Sequence, residues 1–280
     1  MCRQFFNEPL SLHTSFKIGG PARLFLVPES LEQFLCALKL FPDAKLLGKG
    51  TNVLAPDEGV DVVISTLGLN NFRFDGNLLV SEAGVLLSKL CVESAQRGLS
   101  GLEFSYGIPG TIGGAIFMNA GAYGGQMADV VEWVECFDGE RVRVLHRDQL
   151  EFSYRNSVFK KRNWVVLRAC LSLTKSEAEG VRSKMEEIMR RRLETQPLEF
   201  PSAGSFFKRP RNDFYVGKAI EQLGLKGYRV KDAQISTKHA GFIVNVGSAT
   251  AKDVIALAQT VKELIEKHFN VALEPEVDIW

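Results

Sequence analysis

The sequence predicts an α+β fold, and three observations lead there. Short β-like runs and amphipathic helices alternate from the start of the chain, the middle is rich in strand-like segments, and a self-contained mixed segment follows the break at Gln196-Pro197. In order, residues 22–27 read as a strand, and 30–40 as a helix whose start is marked by Ser30 and Gln33 in capping-box spacing. Residues 60–65 and 78–82 are strand-like, and a helix over 86–97 is terminated by Gly98. The alternating runs 130–137 and 141–145 flank Asp138-Gly139, the pattern of a type I′ hairpin. Residues 164–173 form another strand, and Ser176 with Glu179 opens a long helix over 176–194. Beyond it come a helix over 215–223 closed by Gly224, a strand at 241–246, a helix over 250–269 and a terminal strand at 273–277. Val254, Leu257, Ala258, Val261, Leu264, Ile265 and His268 recur at helical spacing, so His268 reads as a core or cap histidine.

Composition narrows the function classes. A chain of 280 residues accommodates two cores, or three small ones, and its 45% hydrophobic content is that of an ordinary globular protein. A net charge of +1 lacks the basic excess of a nucleic-acid or membrane-surface protein, so an anionic ligand has to be held locally. The cysteines at 2, 36, 91, 136 and 170 are odd in number and widely spaced among apolar neighbours, which predicts reduced core thiols and a cytoplasmic protein. No CxxC or HxxxH pair is present, so no metal site is expected. No uncharged apolar run reaches the roughly 18 residues of a membrane span, and the N-terminus has no secretory pattern.

The chemistry-bearing signal is a concentration of glycine. Gly107, Gly110, Gly113, Gly114, Gly121, Gly124 and Gly125 fall within nineteen residues. Glycine is favoured where φ is positive or where a ligand approaches the main chain, and successive bare N–H groups can cradle a pyrophosphate. Asn119 and Tyr123 are expected to add polar contacts at its rim, and a series of tight turns in a sheet-rich region is the alternative. A second such turn, Gly48-Lys49-Gly50-Thr51-Asn52, is neither a dinucleotide fingerprint, because Val53 stands in place of its third glycine, nor a P-loop, because Asp43 stands in place of that motif's first.

Two glycine-rich phosphate sites outside a Rossmann context occur together with HTSFKIGGPA at 13–22, GKGTNVLAPDEG at 48–59, GIPGTIGGAIFMNAGAYGG at 107–125, SYRNSVFK at 153–160, PSAGSFFKRP at 201–210, KHAGFIVN at 238–245 and LEPEV at 273–277. In these motifs the chain resembles the UDP-N-acetylenolpyruvoylglucosamine reductase (UDP-N-acetylmuramate dehydrogenase) family, over almost its whole length. The resemblance implies a two-subdomain FAD-binding fold of the vanillyl-alcohol-oxidase (PCMH) type, with subdomains at 1–66 and 67–195, and a C-terminal αβ substrate domain at 196–280 whose last strand returns a catalytic glutamate. It implies non-covalent FAD, NADPH as hydride donor, a UDP-sugar carrying an enolpyruvyl ether as substrate, a role in bacterial peptidoglycan precursor synthesis, and a monomer without nucleic-acid or membrane partners. Leu173 runs directly into the Ser176 helix, so the chain is similar to the shorter, second type of the family, which lacks an inserted lid tyrosine. Gly48, Gly50, Thr51, Asn52, Gly107, Pro109, Gly110, Gly113, Gly114, Asn119, Gly121, Ala122 and Tyr123 are the implied cofactor contacts, with His13, Thr14, Gly19 and Gly20 in the N-terminal flavin subdomain.

Adding hydride to the methylene carbon of an enolpyruvyl ether pushes negative charge onto the carbon bearing the carboxylate, so the chemistry needs a fixed cation and a proton source. By the resemblance these are Arg155 and Ser205, with Glu276 as the catalytic carboxylate that steadies Arg155 and accepts a hydrogen bond from an enol. From the residues alone, Arg155 also fits a surface arginine in a strand-end loop, Ser205 a turn serine, and Glu276 a solvent-facing strand position beside Glu274. Lys208, Arg209, Arg211, Arg229, Lys231 and Lys238 make the C-terminal third locally basic; Lys208 and Arg209 are the expected substrate contacts, although many relatives carry asparagine at 209. An FAD-dependent alcohol oxidase or dehydrogenase of the same cofactor fold, and a non-catalytic flavin carrier, are the competing readings.

Overall fold

The computed structural model describes residues 2–280. Its helices are α1 (Leu31–Leu40), α2 (Leu87–Gln96), α3 (Ile112–Phe117), α4 (Val158–Arg162), α5 (Ala178–Thr195), α6 (Val216–Gln222) and α7 (Ala251–Phe269), set among short strands. The chain divides into two compact units that do not follow sequence order. The first comprises residues 2–5, Phe25–Lys49 and Val62–Arg192; the second comprises Phe6–Leu24, Gly50–Asp61 and Leu193–Trp280. His13, Thr14, Gly19 and Gly20, expected in an N-terminal flavin subdomain, thus belong to the compact unit that holds the C-terminal third. Strands Arg3–Pro9, Pro21–Val27, Val60–Ser65 and Lys45–Leu47 form a four-stranded sheet in that order, and the division falls within the first three.

The first unit is built on a five-stranded antiparallel sheet, ordered Val142–His146, Val131–Phe137, Val165–Ser172, Leu78–Glu82 and Phe72–Asp75. Leu87, Leu90 and Cys91 of α2, Ile112 and Ile116 of α3, and Val181 and Met185 of α5 bury their apolar faces with Leu79, Val134 and Ala169 of the sheet. Local chemistry sets the ends of these elements. Ser30 caps α1 by accepting from the Gln33 N–H, while Gln33 reaches back to the N–H of Glu29. Gly98, at φ +63°, stops α2.

Three expectations for this unit change. Only Gly139 is positive (φ +100°) in the 138–141 hairpin turn and Glu140 is not, so the turn has glycine at its first central position, the pattern of type II′ rather than I′. The helix expected from Ser176 begins at Ala178, because Thr174–Lys175 first pairs with Leu99–Ser100 and the Ser176 N–H is taken by the Gly98 carbonyl. Cys91, Cys136 and Cys170 are buried, and burial pushes the thiols of Cys91 and Cys136 up to about 11; Cys36, expected in the core, is exposed on α1.

The second unit carries a four-stranded antiparallel sheet ordered Ser202–Ser205, Phe242–Asn245, Ala233–Ile235 and Arg229–Val230. Val254, Leu257, Val261 and Ile265 of α7 pack with Ile235 and Ile243 of that sheet. His268 is exposed rather than in the core, and its Nδ1 lies 2.9 Å from the Leu264 carbonyl in the last turn. At the other end of α7, Thr250 and Asp253 form a reciprocal capping box, and Asp57 accepts from the next two N–H groups, Ala251 at 2.7 Å and Lys252 at 3.1 Å. The terminal residues 273–277 are not a regular strand. Pro275 allows only an isolated bridge to Phe207, and regular pairing resumes at Asp278–Ile279, parallel to Val53–Leu54.

Among the described residues no helix is long and apolar enough to cross a membrane, and no group of three or more His, Cys, Asp or Glu could hold a metal ion.

Asp57→Ala should lower the stability of the second unit by about 1–2 kcal/mol in urea unfolding, with Asp57→Asn intermediate, because two helix N–H groups lose a charged acceptor. A second expectation concerns pH. Burial holds the pKa of His239 below its ordinary value, and its Nδ1 accepts from the Gly241 N–H, which requires the neutral ring. The unfolded chain therefore binds the extra proton more readily, so the contribution of His239 is present above pH of about 6.5 and is lost as pH falls below it. His239→Gln should flatten that part of the stability profile.

Candidate functional site

In the first unit the glycine segment folds as a loop, the short helix α3 and a small hairpin. Gly121–Ala122 pairs antiparallel with Gly125–Gln126, and Tyr123 (φ +52°) and Gly124 (φ +86°) form its tip, both positive as a type I′ turn requires. Much of the glycine serves close packing of the chain on itself. A Cβ on Gly48 would lie 2.8 Å from Thr111 Oγ1, one on Gly113 2.8 Å from Ala83 Cβ, and one on Gly121 2.8 Å from the Gly125 carbonyl. Gly110 has φ +144°, and the adjoining Pro109 is exposed. Gly114 is different: it is exposed on α3, and an added Cβ would meet only Thr111 Oγ1, at an ordinary 3.6 Å. Neither packing nor φ calls for glycine there, although its N–H is engaged by the Thr111 cap, so the position is open on its outer side.

Asn119 is not at a rim. It is buried at 2% exposure with φ +42°, and its amide is spent on protein: Nδ2 donates to Gln126 Oε1 and to the Ser153 carbonyl, both at 3.0 Å, and Oδ1 accepts from the Ala128 N–H. Ser153 and Asn156 exchange two backbone hydrogen bonds around Tyr154 and Arg155, and the half-buried Arg155 takes φ +53°. A positive φ on arginine is costly and persists where the surroundings fix it.

One group that the sequence reading missed stands out here. Arg192, 8% exposed, lies where a Cβ on Gly107 would come within 2.9 Å of its Cδ and 3.0 Å of its Nε. That Nε has no hydrogen-bond partner among the described residues. Burial pulls the guanidinium pKa down, and the Tyr123 side chain acts in the opposite direction. The signal was present in the periodicity: Val181, Met185, Ile188 and Arg192 continue one buried face of α5. A desolvated cation with an unfilled donor, beside Gly107 and Tyr123, fits an anionic, acceptor-rich cofactor.

The second unit gathers the other expected residues. Gly50 (φ +66°) sits against the His13 carbonyl, and Ser15 Oγ reaches both the Gly50 and the Ser202 carbonyls, at 3.3 and 2.6 Å. Thr51 and Asn52 are half-buried, and Asn52 Nδ2 donates to the Glu276 carbonyl at 3.0 Å. Ser205 is exposed at the end of its edge strand, after an irregularity in pairing that accompanies Gly204 at φ +81°. The Glu276 N–H donates to the Phe206 carbonyl at 2.8 Å, so the Glu276 segment lies beside the residue that follows Ser205. Glu276 is half-buried, whereas Glu274 is exposed and pairs with Lys208 Nζ at 3.0 Å. Arg209 is exposed with its guanidinium 4.3 Å from the centre of the Tyr215 ring. The unit also has a cavity of about 520 Å³ whose lining includes Lys17, Gly19, Gly20, Asp57, Asn245 and Thr250; Gly19 and Gly20 come from the expected flavin subdomain, while Ser205, Glu276 and the 50–52 turn do not line it.

Comparison with known proteins accounts for this combination. Residues 196–280 match the UDP-N-acetylenolpyruvoylglucosamine reductase C-terminal domain, and residues 22–145 match an FAD binding domain. The UDP-N-acetylenolpyruvoylglucosamine reductase of Pseudothermotoga lettingae is 57% identical, covering 100% of this chain and 98% of its own length. The chain belongs to the UDP-N-acetylenolpyruvoylglucosamine reductase family. The reductase of Thermotoga maritima is 50% identical over 98% of this chain and 97% of its own. The crystal structure of UDP-N-acetylenolpyruvylglucosamine reductase (MurB) from Thermus caldophilus superposes with a TM-score of 0.85 at 38% identity, covering 100% of this chain and 99% of that one. The α+β class, the FAD-binding domain and the reductase C-terminal domain are therefore as the sequence predicted, and family membership makes the chain an FAD-dependent oxidoreductase acting on a UDP-sugar.

The two kinds of glycine separate in an experiment. Gly114→Ala should keep thermal stability, since alanine is favoured over glycine in a helix by about 1 kcal/mol, yet weaken FAD binding measured by fluorescence titration. Gly107→Ala, which combines φ +82° with the Arg192 clash, should lower stability as well.

Proposed function

We infer that the chain reduces the enolpyruvyl ether of UDP-N-acetylglucosamine enolpyruvate to UDP-N-acetylmuramate, for peptidoglycan precursor synthesis, with NADPH as the electron source. FAD, when bound, takes two electrons from NADPH and supplies the hydride for the methylene carbon of the substrate. The residues that would hold it are the backbone at Gly107, Pro109, Gly110, Gly113, Gly114, Gly121 and Ala122, with Tyr123 and Arg192, and the turn at Gly48, Gly50, Thr51 and Asn52. Asn119 enters as a support of that segment, since its amide is spent on protein groups.

The protein's own part follows from where charge develops. Arg155 supplies a preorganised positive charge for the enolate-like carboxylate, an interaction stronger in the transition state than in the ground state. Ser205 gives its hydroxyl proton to the carbon bearing the carboxylate, and its alkoxide then takes a proton back from solvent. Transfer from a hydroxyl is downhill to so basic a carbon. Glu276 accepts a hydrogen bond from the enol form, and Lys208 and Arg209 answer the charge of the nucleotide diphosphate.

The observation that carries this reading is the 2.8 Å hydrogen bond from the Glu276 N–H to the Phe206 carbonyl. It supports a shared role for Ser205 and Glu276 by making two remote stretches neighbours within one compact unit.

Stopped-flow absorbance separates the half-reactions. Ser205→Ala should still bleach with NADPH under anaerobic conditions but lose reoxidation by the enolpyruvyl sugar nucleotide by about 10²- to 10⁴-fold. A variant that turns over normally with the sugar nucleotide removes Ser205 from the proton step.

A further inference from the structure

The geometry points to Asn119 as a positioning residue for Arg155, with the end of α3 setting the direction of that guanidinium. This inference rests on the reading of Arg155 given above.

Three consecutive residues at the end of α3 grip the loop that carries Arg155. The Phe117 carbonyl accepts from Ser157 Oγ at 2.7 Å, Met118 Sδ lies 3.3 Å from Lys160 Nζ, and Asn119 Nδ2 donates to the Ser153 carbonyl at 3.0 Å. Arg155 therefore stands two residues from an anchor on either side. The Ser157 anchor is fully buried, and its hydroxyl also caps α4 by accepting from the Lys160 N–H. The Ser153 anchor is a doubly used carbonyl, because it accepts from the Asn156 N–H as well as from Asn119.

The side chain at 119 has to be an amide. Its two N–H bonds go to Gln126 Oε1 and the Ser153 carbonyl, while its oxygen takes the Ala128 N–H. Aspartate keeps only the last of these and turns a carboxylate toward two acceptors. Asparagine also tolerates φ +42° better than other residues with a Cβ. The left-handed backbone at Asn119 and that at Arg155 are thus joined by one hydrogen bond to Ser153, so a shift of the glycine segment reaches Arg155 through a short rigid path. Misplacing a reacting group by about 1 Å can cost roughly a hundredfold in rate.

The test is a double-mutant cycle on the FAD-loaded enzyme with Asn119→Asp and Arg155→Ala; Asn119→Gly, which keeps the backbone conformation without adding charge, stands in if the aspartate variant folds poorly. In the parent background and with FAD saturating, Asn119→Asp should slow flavin reoxidation by the enolpyruvyl sugar nucleotide by about tenfold to a hundredfold, while anaerobic reduction by NADPH, in which Arg155 has no part, should slow far less. In the Arg155→Ala background the same substitution should add less than about twofold, since its effect passes through a group already removed. Equal fold-losses in both backgrounds overturn the inference. So does a loss of FAD affinity with the reoxidation rate intact, which makes Asn119 a cofactor contact. Normal reoxidation in Arg155→Ala alone is a distinct outcome: it removes Arg155 from the reaction, and the inference with it.

Discussion

The hydrogen bond from Asn52 Nδ2 to the Glu276 carbonyl joins residues 224 positions apart, and the Asp278 N–H returns to the Asn52 carbonyl beside it. Closing so long a loop costs roughly 2 kcal/mol more than closing one of about twenty residues. Leu54, Leu273 and Val277, all at 4% exposure or less, close it with their burial. At about 1.5–3 kcal/mol for each such side chain, apolar burial outweighs the closure term, and the polar contacts then choose the register. The consequence reaches beyond stability. With residues 278–279 held parallel to 53–54, Glu276 has its N–H left for Phe206, and Ser205 gains its neighbour.

The first unit solves a different problem with the same economy. Asn119, Tyr123 and Arg155 all have positive φ, and each is held by its surroundings: an amide with three protein contacts, a two-residue hairpin tip, and a turn gripped at both ends. Left-handed conformations on residues with a Cβ persist only when over-determined in this way. The segments that carry Asn119, Tyr123 and Arg155 are therefore fixed by construction rather than by composition, the platform that a preorganised guanidinium would need.

Legibility in the sequence followed locality. Elements defined by nearby residues were readable: the cap at Ser30, the stops at Gly98 and Gly224, and the helical face of α7 all depend on neighbours within a turn or two. Readings failed where a distant partner decided the outcome. Ser176 looks like a helix cap, yet its N–H goes to Gly98; 273–277 alternates like a strand, yet Pro275 limits it to one bridge. The grouping of 6–24 and 50–61 with the C-terminal third was hidden for the same reason, since no local pattern announces the Asn52 and Ser15 contacts. The seven motifs carried the family, which later comparison bore out, but motifs name positions and not partners. Asn119 was found as a conspicuous residue and misread as a polar rim.

Glycine itself shows where that limit lies. A cluster of glycines says that a backbone is approached closely, without saying by what. Here Gly48 meets Thr111, Gly113 meets Ala83, Gly121 meets the Gly125 carbonyl, and Gly107 meets the buried Arg192, so the protein supplies most of the approach. Only after those are subtracted does Gly114 emerge as a position that neither packing nor φ explains. The Arg192 contact also changes the meaning of Gly107, because this glycine makes room for a desolvated cation instead of a ligand. A buried guanidinium placed in this way would let a chain with net charge of only +1 hold a strongly anionic cofactor without an exposed basic patch.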